Sequence, residues 1–164
     1  MEERGGWFIK NVKDAHWYET EAFGKAGIFE NREEQRFPHT GINVTVLEPG
    51  KANCRYHREN GQEDFLVLHG EAKLLVNGEE HALKTWDFVH CPPGVSHVFV
   101  GAGDGPCAIL MIGHRPESHE FFYPKAEFAA PYNAQAPEPT PDPKVAYSDV
   151  TRYAPGKAPK WPLD

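Results

Sequence analysis

Residues 63–100 read EDFLVLHGEAKLLVNGEEHALKTWDFVHCPPGVSHVFV, and the alternation of short apolar runs with turn residues along them decides the fold. Residues 63–68 form one strand, closed by His69-Gly70. Residues 72–76 form the next and meet Asn77-Gly78. That pair suits a two-residue hairpin of type I′, which needs positive φ at both central positions. Residues 80–83 return, residues 87–91 make another strand stopped by Pro92-Pro93-Gly94, and residues 97–100 open the next. Upstream, residues 42–47 are β-branched and end at Glu48-Pro49-Gly50, and residues 53–57 lead into the polar turn 58–62. Downstream, residues 107–112 complete a set of eight. Eight short strands with no helical period between them imply an all-β sandwich or barrel.

The flanks differ in composition. Residues 1–38 carry Trp7, Phe8, Trp17, Tyr18, Phe23 and Phe29 and read as an extension lying on the barrel of residues 39–115. Residues 116–164 hold ten of the 15 prolines. Their APEPTPDPK stretch (136–144) is expected to be extended, a surface strap or a disordered end. A chain of 164 residues is the size of one domain. The net charge of −7 disfavours nucleic acid as a partner, since phosphate contacts need a basic face. No apolar run approaches the roughly 18 residues of a membrane span. The charged start MEERGGWFIKNVKD lacks the apolar core of a secretory signal, so a cytoplasmic setting is expected. Cys54, Cys91 and Cys107 form no C-x-x-C pair and read as free thiols.

Position separates the nine histidines. His57 ends one strand, Glu63 begins the next, and His97 opens another, so short turns bring the three to one end of adjacent strands. Side chains at even offsets share a strand face. Glu63, Phe65 and Val67 therefore point together into the interior, and His57 shares a face with Arg55, and with Glu59 if the strand runs on. Imidazole and carboxylate together suit a divalent ion such as Zn, Fe, Ni, Mn or Co. His16, His39, His69, His81, His114 and His119 read as surface or capping groups, and His90 as packing. Cys54 alternates away from His57.

Two stretches carry a family resemblance. PGKANCRYHRENGQEDFLVLHG (49–70) resembles the first motif of the cupin superfamily: Gly, five residues, His-x-His, three or four residues, Glu, six residues, Gly. Glu63 and Gly70 have that spacing. DFVHCPPGVSH (87–97) resembles the second, Pro-x-Gly-x-x-His, with Pro92, Gly94 and His97 in register. The similarity covers residues of about 42 to 112. It implies a small double-stranded β-helix (jelly-roll) barrel holding one divalent metal ion (Zn, Fe, Mn or Ni), with His57, Glu59, Glu63 and His97 as metal ligands. This sequence departs from the pattern in places. One extra residue separates Gly50 from His57, and Glu59 stands for the second histidine. Either Glu59 replaces that ligand, or it points away and leaves three ligands, or Tyr56 and Arg58 take the ligand positions and the barrel is metal-free. Gly101 stands where the second motif ends in Asn, and Trp86 where the family has Gly.

The resemblance implies a pocket for a small molecule at one barrel mouth, with Arg55 and Phe65 as ligand-binding residues. Arg55 would hold a substrate carboxylate in a bidentate pair. Three roles follow: a metal-dependent enzyme (oxygenase, isomerase or lyase) on a small organic acid or sugar, a small-ligand binding or sensing module, or a structural barrel. A homodimer is expected from the outer sheet face that so small a barrel leaves.

Overall fold

The structure is a computed structural model that describes residues 7–30, 36–151 and 153–160. Twelve strands run β1 (His16–Glu19), β2 (Lys25–Ile28), β3 (Thr40–Leu47), β4 (Arg58–Glu59), β5 (Glu63–His69), β6 (Glu71–Val76), β7 (Glu79–Lys84), β8 (Phe88–Cys91), β9 (His97–Ala102), β10 (Cys107–His114), β11 (Phe121–Phe122) and β12 (Ala154–Pro155). One sheet has the order β12-β1-β2-β3-β10-β5-β8 and a second the order β7-β6-β9, while β11 pairs with β4. Every strand pair is antiparallel. The all-β barrel expected from the strand pattern, a double-stranded β-helix as the family resemblance implies, is the fold observed.

The interior lies between the two sheets. Leu47, Phe65, Cys107, Ile109 and Met111 from the first meet Ala72, Leu74 and Phe99 from the second in one buried cluster. Strict alternation makes this possible: Phe65 and Val67 on β5 are buried while Leu66 and Leu68 between them are half-buried. The Asn77-Gly78 hairpin joins β6 to β7 with φ of 51° and 83°, as its sequence requires. Gly101 has no room for a side chain, because a Cβ there would lie 2.3 Å from the Glu48 carbonyl oxygen. That close approach explains glycine at this position. Trp86, at the family's glycine position, keeps the left-handed backbone with φ of 75° and exposes its ring.

Three expectations change. Residues 53–57 are not a strand: isolated bridges at Ala52 and His57, to Val100 and His97, flank a bend, and β4 then pairs with β11 and not with β9. The aromatic first part supplies two further strands, β1 and β2, which extend the β3 edge and bury Trp17 against Val44 and Val46. The last part is no loose strap. A 3-10 turn over Glu127–Tyr132 and its flanks carry Ala126, Ala129 and Ala134 onto Val98 and Val100, and a short helix α1 (Pro143–Ala146) buries Ala146 with Tyr123 and Ala136. This is why β9 is buried on both faces, with Phe99 inward and Val98 and Val100 under the tail. No helix among the described residues is long and apolar enough to cross a membrane.

Candidate metal centre

The bridge between His57 and His97 builds the site. Each backbone N–H donates to the other residue's carbonyl oxygen, at 3.2 and 2.8 Å, which sets the two imidazole centroids 5.5 Å apart. His57 Nδ1 lies 2.9 Å from the Arg55 carbonyl oxygen, and His97 Nδ1 lies 3.0 Å from that of Val95. A carbonyl only accepts, so in each ring Nδ1 carries the proton. The lone pair of each neutral ring is then on Nε2, the arrangement of a metal-ligating histidine. His97 Nε2 faces Glu63 Oε2 at 3.2 Å. The donor atoms of His57, Glu59 and Glu63 all lie within 4.8 Å of one another. Donors bonded to one ion at about 2.0–2.2 Å are at most about 4.4 Å apart. These three donors therefore fit a divalent ion with little movement, while His97 stands outside the group and next to Glu63, and their mixture of imidazole and carboxylate suits a first-row metal.

Burial and mutual contact shift the titration of all four groups. Burial, with the negative Glu63 beside it, pushes the Glu59 carboxyl up to about 9. Burial also opposes charge on Glu63 most strongly, but the hydrogen bond and charge of His97, with His57 and Glu59, together outweigh it and hold this carboxyl below the usual range. Burial opposes charge on His97 too, yet the Cys91 thiol and the Glu63 carboxylate raise it to about 10. Burial lowers His57, and the charge on His97 adds to the effect. Without a metal, the centre thus holds protons where a cation would sit.

Every residue singled out from the sequence can now be placed. His57, Glu59, Glu63 and His97 converge on one cavity of about 240 Å³, and Phe65 lines it. Arg55 does not. It is buried among the tail segments, donating to the carbonyl oxygens of Ala146, Asn133 and Gln135 and to Asp149 Oδ1 at 2.5 Å. The expectation that it shares the face of His57 failed because residues 53–57 bend and have no strand period. Cys54 likewise sits next to His57, its Sγ 3.6 Å from Nδ1. His90 packs outside, against Asp64 at 2.7 Å.

Two histidines read as surface groups, His114 and His119, line the cavity, as do Asn43, Asn53, Met111 and Arg115, which the sequence reading did not single out. Register places His119: β11 pairs with β4 so that Phe121 opposes Glu59. Asn60 pins the preceding loop by donating to the Ser118 carbonyl at 2.7 Å and accepting from the Glu120 N–H at 2.9 Å. His119 Nε2 then meets Glu59 Oε2. Burial lowers His119, so this contact joins two neutral groups. Phe121 and Tyr123 pack beside His57 with centroids at 6.4 and 5.6 Å. The signal was the alternation His119, Phe121, Tyr123, one face of an extended segment.

Comparison with known proteins follows the same lines. Residues 43–113 match the family model described as Cupin domain. An uncharacterized protein of Methanocaldococcus jannaschii is 24% identical over 75 residues, 46% of this chain and 60% of that protein. The chain thus spans 60% of the curated relative it matches. A sugar phosphate isomerase from a cupin superfamily of Silicibacter pomeroyi superposes with a TM-score of 0.55 at 24% identity, over 63% of this chain and 66% of that one. A protein described as a predicted oxalate decarboxylase, from Thermotoga maritima, gives 0.58 at 16% identity, over 66% of this chain and 100% of that one. Identities this low show a shared fold. Family match, motif spacing and two-sheet topology coincide over the same residues, and the protein carries a cupin domain over residues 43–113.

Proposed function

We propose that this protein binds one divalent metal ion through His57, Glu59, Glu63 and His97 and uses it as an enzyme of the isomerase, lyase or oxygenase type on a small organic acid or sugar. The observation that carries the proposal is the convergence of two imidazoles, with Nδ1 engaged by carbonyls, and two carboxylates in one cavity. Bound there, a metal ion polarises a substrate carbonyl or hydroxyl oxygen. The chain's own residues do the rest. Phe65 and Met111 give the cavity apolar walls, and Asn43 and Asn53 bring amides to it. His119 stands at its edge on Glu59, able to take or return a proton there. A cavity of about 240 Å³ holds the volume of roughly eight waters, which favours a compact substrate. Relatives named for sugar phosphate isomerisation and oxalate decarboxylation support the enzyme reading over a purely ligand-holding barrel.

The test is turnover. Protein stripped by chelator and reloaded with Fe(II), Mn(II), Ni(II) or Zn(II) is incubated with short hydroxy, keto and dicarboxylic acids and with small aldoses and ketoses, under air and under argon, and products are read by NMR. Conversion by at least one metal form, lost in His57→Ala, is expected. Inert behaviour of every metal form towards the whole panel would contradict the enzyme reading.

A further inference from the structure

Arg115 follows β10 on the strand face of Gly113, and most of its guanidinium is already engaged. Nη1 donates to Glu30 Oε2 at 2.8 Å and to the Phe37 carbonyl oxygen at 2.5 Å, and Nη2 donates to Glu30 Oε1 at 2.5 Å. Glu30 is buried and sits astride the Nη1/Nη2 edge. A guanidinium has five N–H donors in a rigid plane. The two left over, on Nε and Nη2, are parallel and form the other edge. No buried side-chain nitrogen or oxygen among the described residues lacks a hydrogen-bond partner. Nε has no partner there, so it opens to solvent, and Arg115 lines the cavity of the metal centre.

Two glycines explain how that edge stays open. Gly41 on β3 pairs directly with Gly113 on β10, so both present the same face. A Cβ on Gly113 would point at the centre, 3.9 Å from Glu59 Oε1 and from Glu63 Oε1. A Cβ on Gly41 would point at the open edge of Arg115, 3.2 Å from Nη2 and 3.5 Å from Nε. Directly paired positions in an antiparallel ladder are about 4.5–5.5 Å apart. The free guanidinium edge and the acidic half of the centre therefore stand side by side over adjacent strands, within the reach of one small molecule.

We infer that the open Nε/Nη2 edge of Arg115 is a carboxylate-binding site at the mouth of the metal cavity, and that the substrate is a short-chain carboxylic acid anchored there with its other end directed at His57, Glu59, Glu63 and His97. The second half rests on the function proposed above. The first half rests on Arg115 alone. Two coplanar donors suit a bidentate oxyanion, carboxylate or phosphate, and charge decides between the two. Glu30 already pairs with Arg115, so a carboxylate, which puts one charge on the edge, is favoured over a phosphate, which puts up to two there. This gives Arg115 the role that the sequence suggested for Arg55.

The experiment uses metal-free protein labelled with 15N at arginine, and follows the Arg115 Nε–Hε resonance during titration with sodium malonate, malonamide and inorganic phosphate. Malonate is expected to shift the resonance saturably and malonamide to leave it unmoved. Gly41→Ala places a methyl group on the edge, 3.2 Å from Nη2 and 3.5 Å from Nε, and is expected to weaken malonate binding at least tenfold. Arg115→Lys keeps the charge but loses the fork, and calorimetry is expected to show the same loss even if Gly41→Ala folds poorly. An unmoved resonance, equal malonate affinity in both variants, or a response to phosphate without one to malonate would overturn the inference. A separate zinc titration keeps the two readings apart. Zinc binding without a malonate response sinks only the carboxylate site, and a malonate response without zinc binding sinks only the metal centre.

Discussion

A histidine ligates a metal only when its free nitrogen carries a lone pair aimed at the ion. Here two backbone carbonyls, those of Arg55 and Val95, make that choice for His57 and His97. The local chain direction thus fixes the chemistry of each ring, two residues upstream of it. Protonation is the competitor. In the metal-free centre Glu59 is raised to about 9 and His97 to about 10, so both hold protons at neutral pH. A metal must displace them. Metal affinity is therefore expected to rise from pH 6 towards pH 9, by about tenfold per pH unit for each proton released. Calorimetry in buffers of different ionisation enthalpy reads the protons released. A pH-independent affinity would contradict the four-residue ligand set. Much of this scale was legible beforehand. Glu63 and His97 follow from motif spacing, and Phe65 from its even offset to Glu63. His119 was not legible, because its place depends on β11 finding β4 across 60 residues of chain.

At the scale of elements, strand identity followed from composition wherever alternation held. Residues 63–100 fold as their apolar pattern and the Asn77-Gly78 turn direct. The pattern gave way in two places, each for a physical reason. Residues 53–57 carry Arg55 and His57 two positions apart, which reads as one strand face. The backbone there is tied by bridges to β9 and by the Tyr56 N–H donating to Ala134 in the tail at 2.7 Å, so side chains two apart diverge. The tail reads as loose because its prolines and small residues have no period. Its alanines are nonetheless buried, since the outer face of β9 needs a cover that fits closely. Arg55 is the pin of that cover, its guanidinium bound by three tail segments. Removing it leaves the buried Ala146 carbonyl oxygen and three less buried acceptors without their donor and empties a fully buried side-chain volume. Arg55→Ala is expected to destabilise the fold by about 3–5 kcal/mol, seen as a lower urea midpoint. Truncation after residue 135 is expected to do at least as much. Either change leaving the midpoint unmoved would show that the tail is not part of the core.

At the scale of the whole molecule, the described flanking segments are built onto the barrel. β1 and β2 extend the sheet on the β3 side, while the tail covers β9 and sends β11 and Tyr123 to the edge of the metal centre. The segments flanking the cupin domain thus contribute to both core and site. The centre is assembled from β4, β5 and β9, the bridge at His57, and the loop before β11. No local stretch of sequence contains it, and the family motifs compress only part of it. The account depends on those strands bringing His57, Glu59, Glu63 and His97 around one ion. The most direct test is metal content by elemental mass spectrometry on protein purified without a nickel column, comparing the wild type with Glu63→Gln and His97→Ala. The account predicts about one divalent metal per chain in the wild type, and less than about a tenth of that in each variant. Equal metal content in all three proteins, or none in the wild type after growth in metal-supplemented medium, would contradict it.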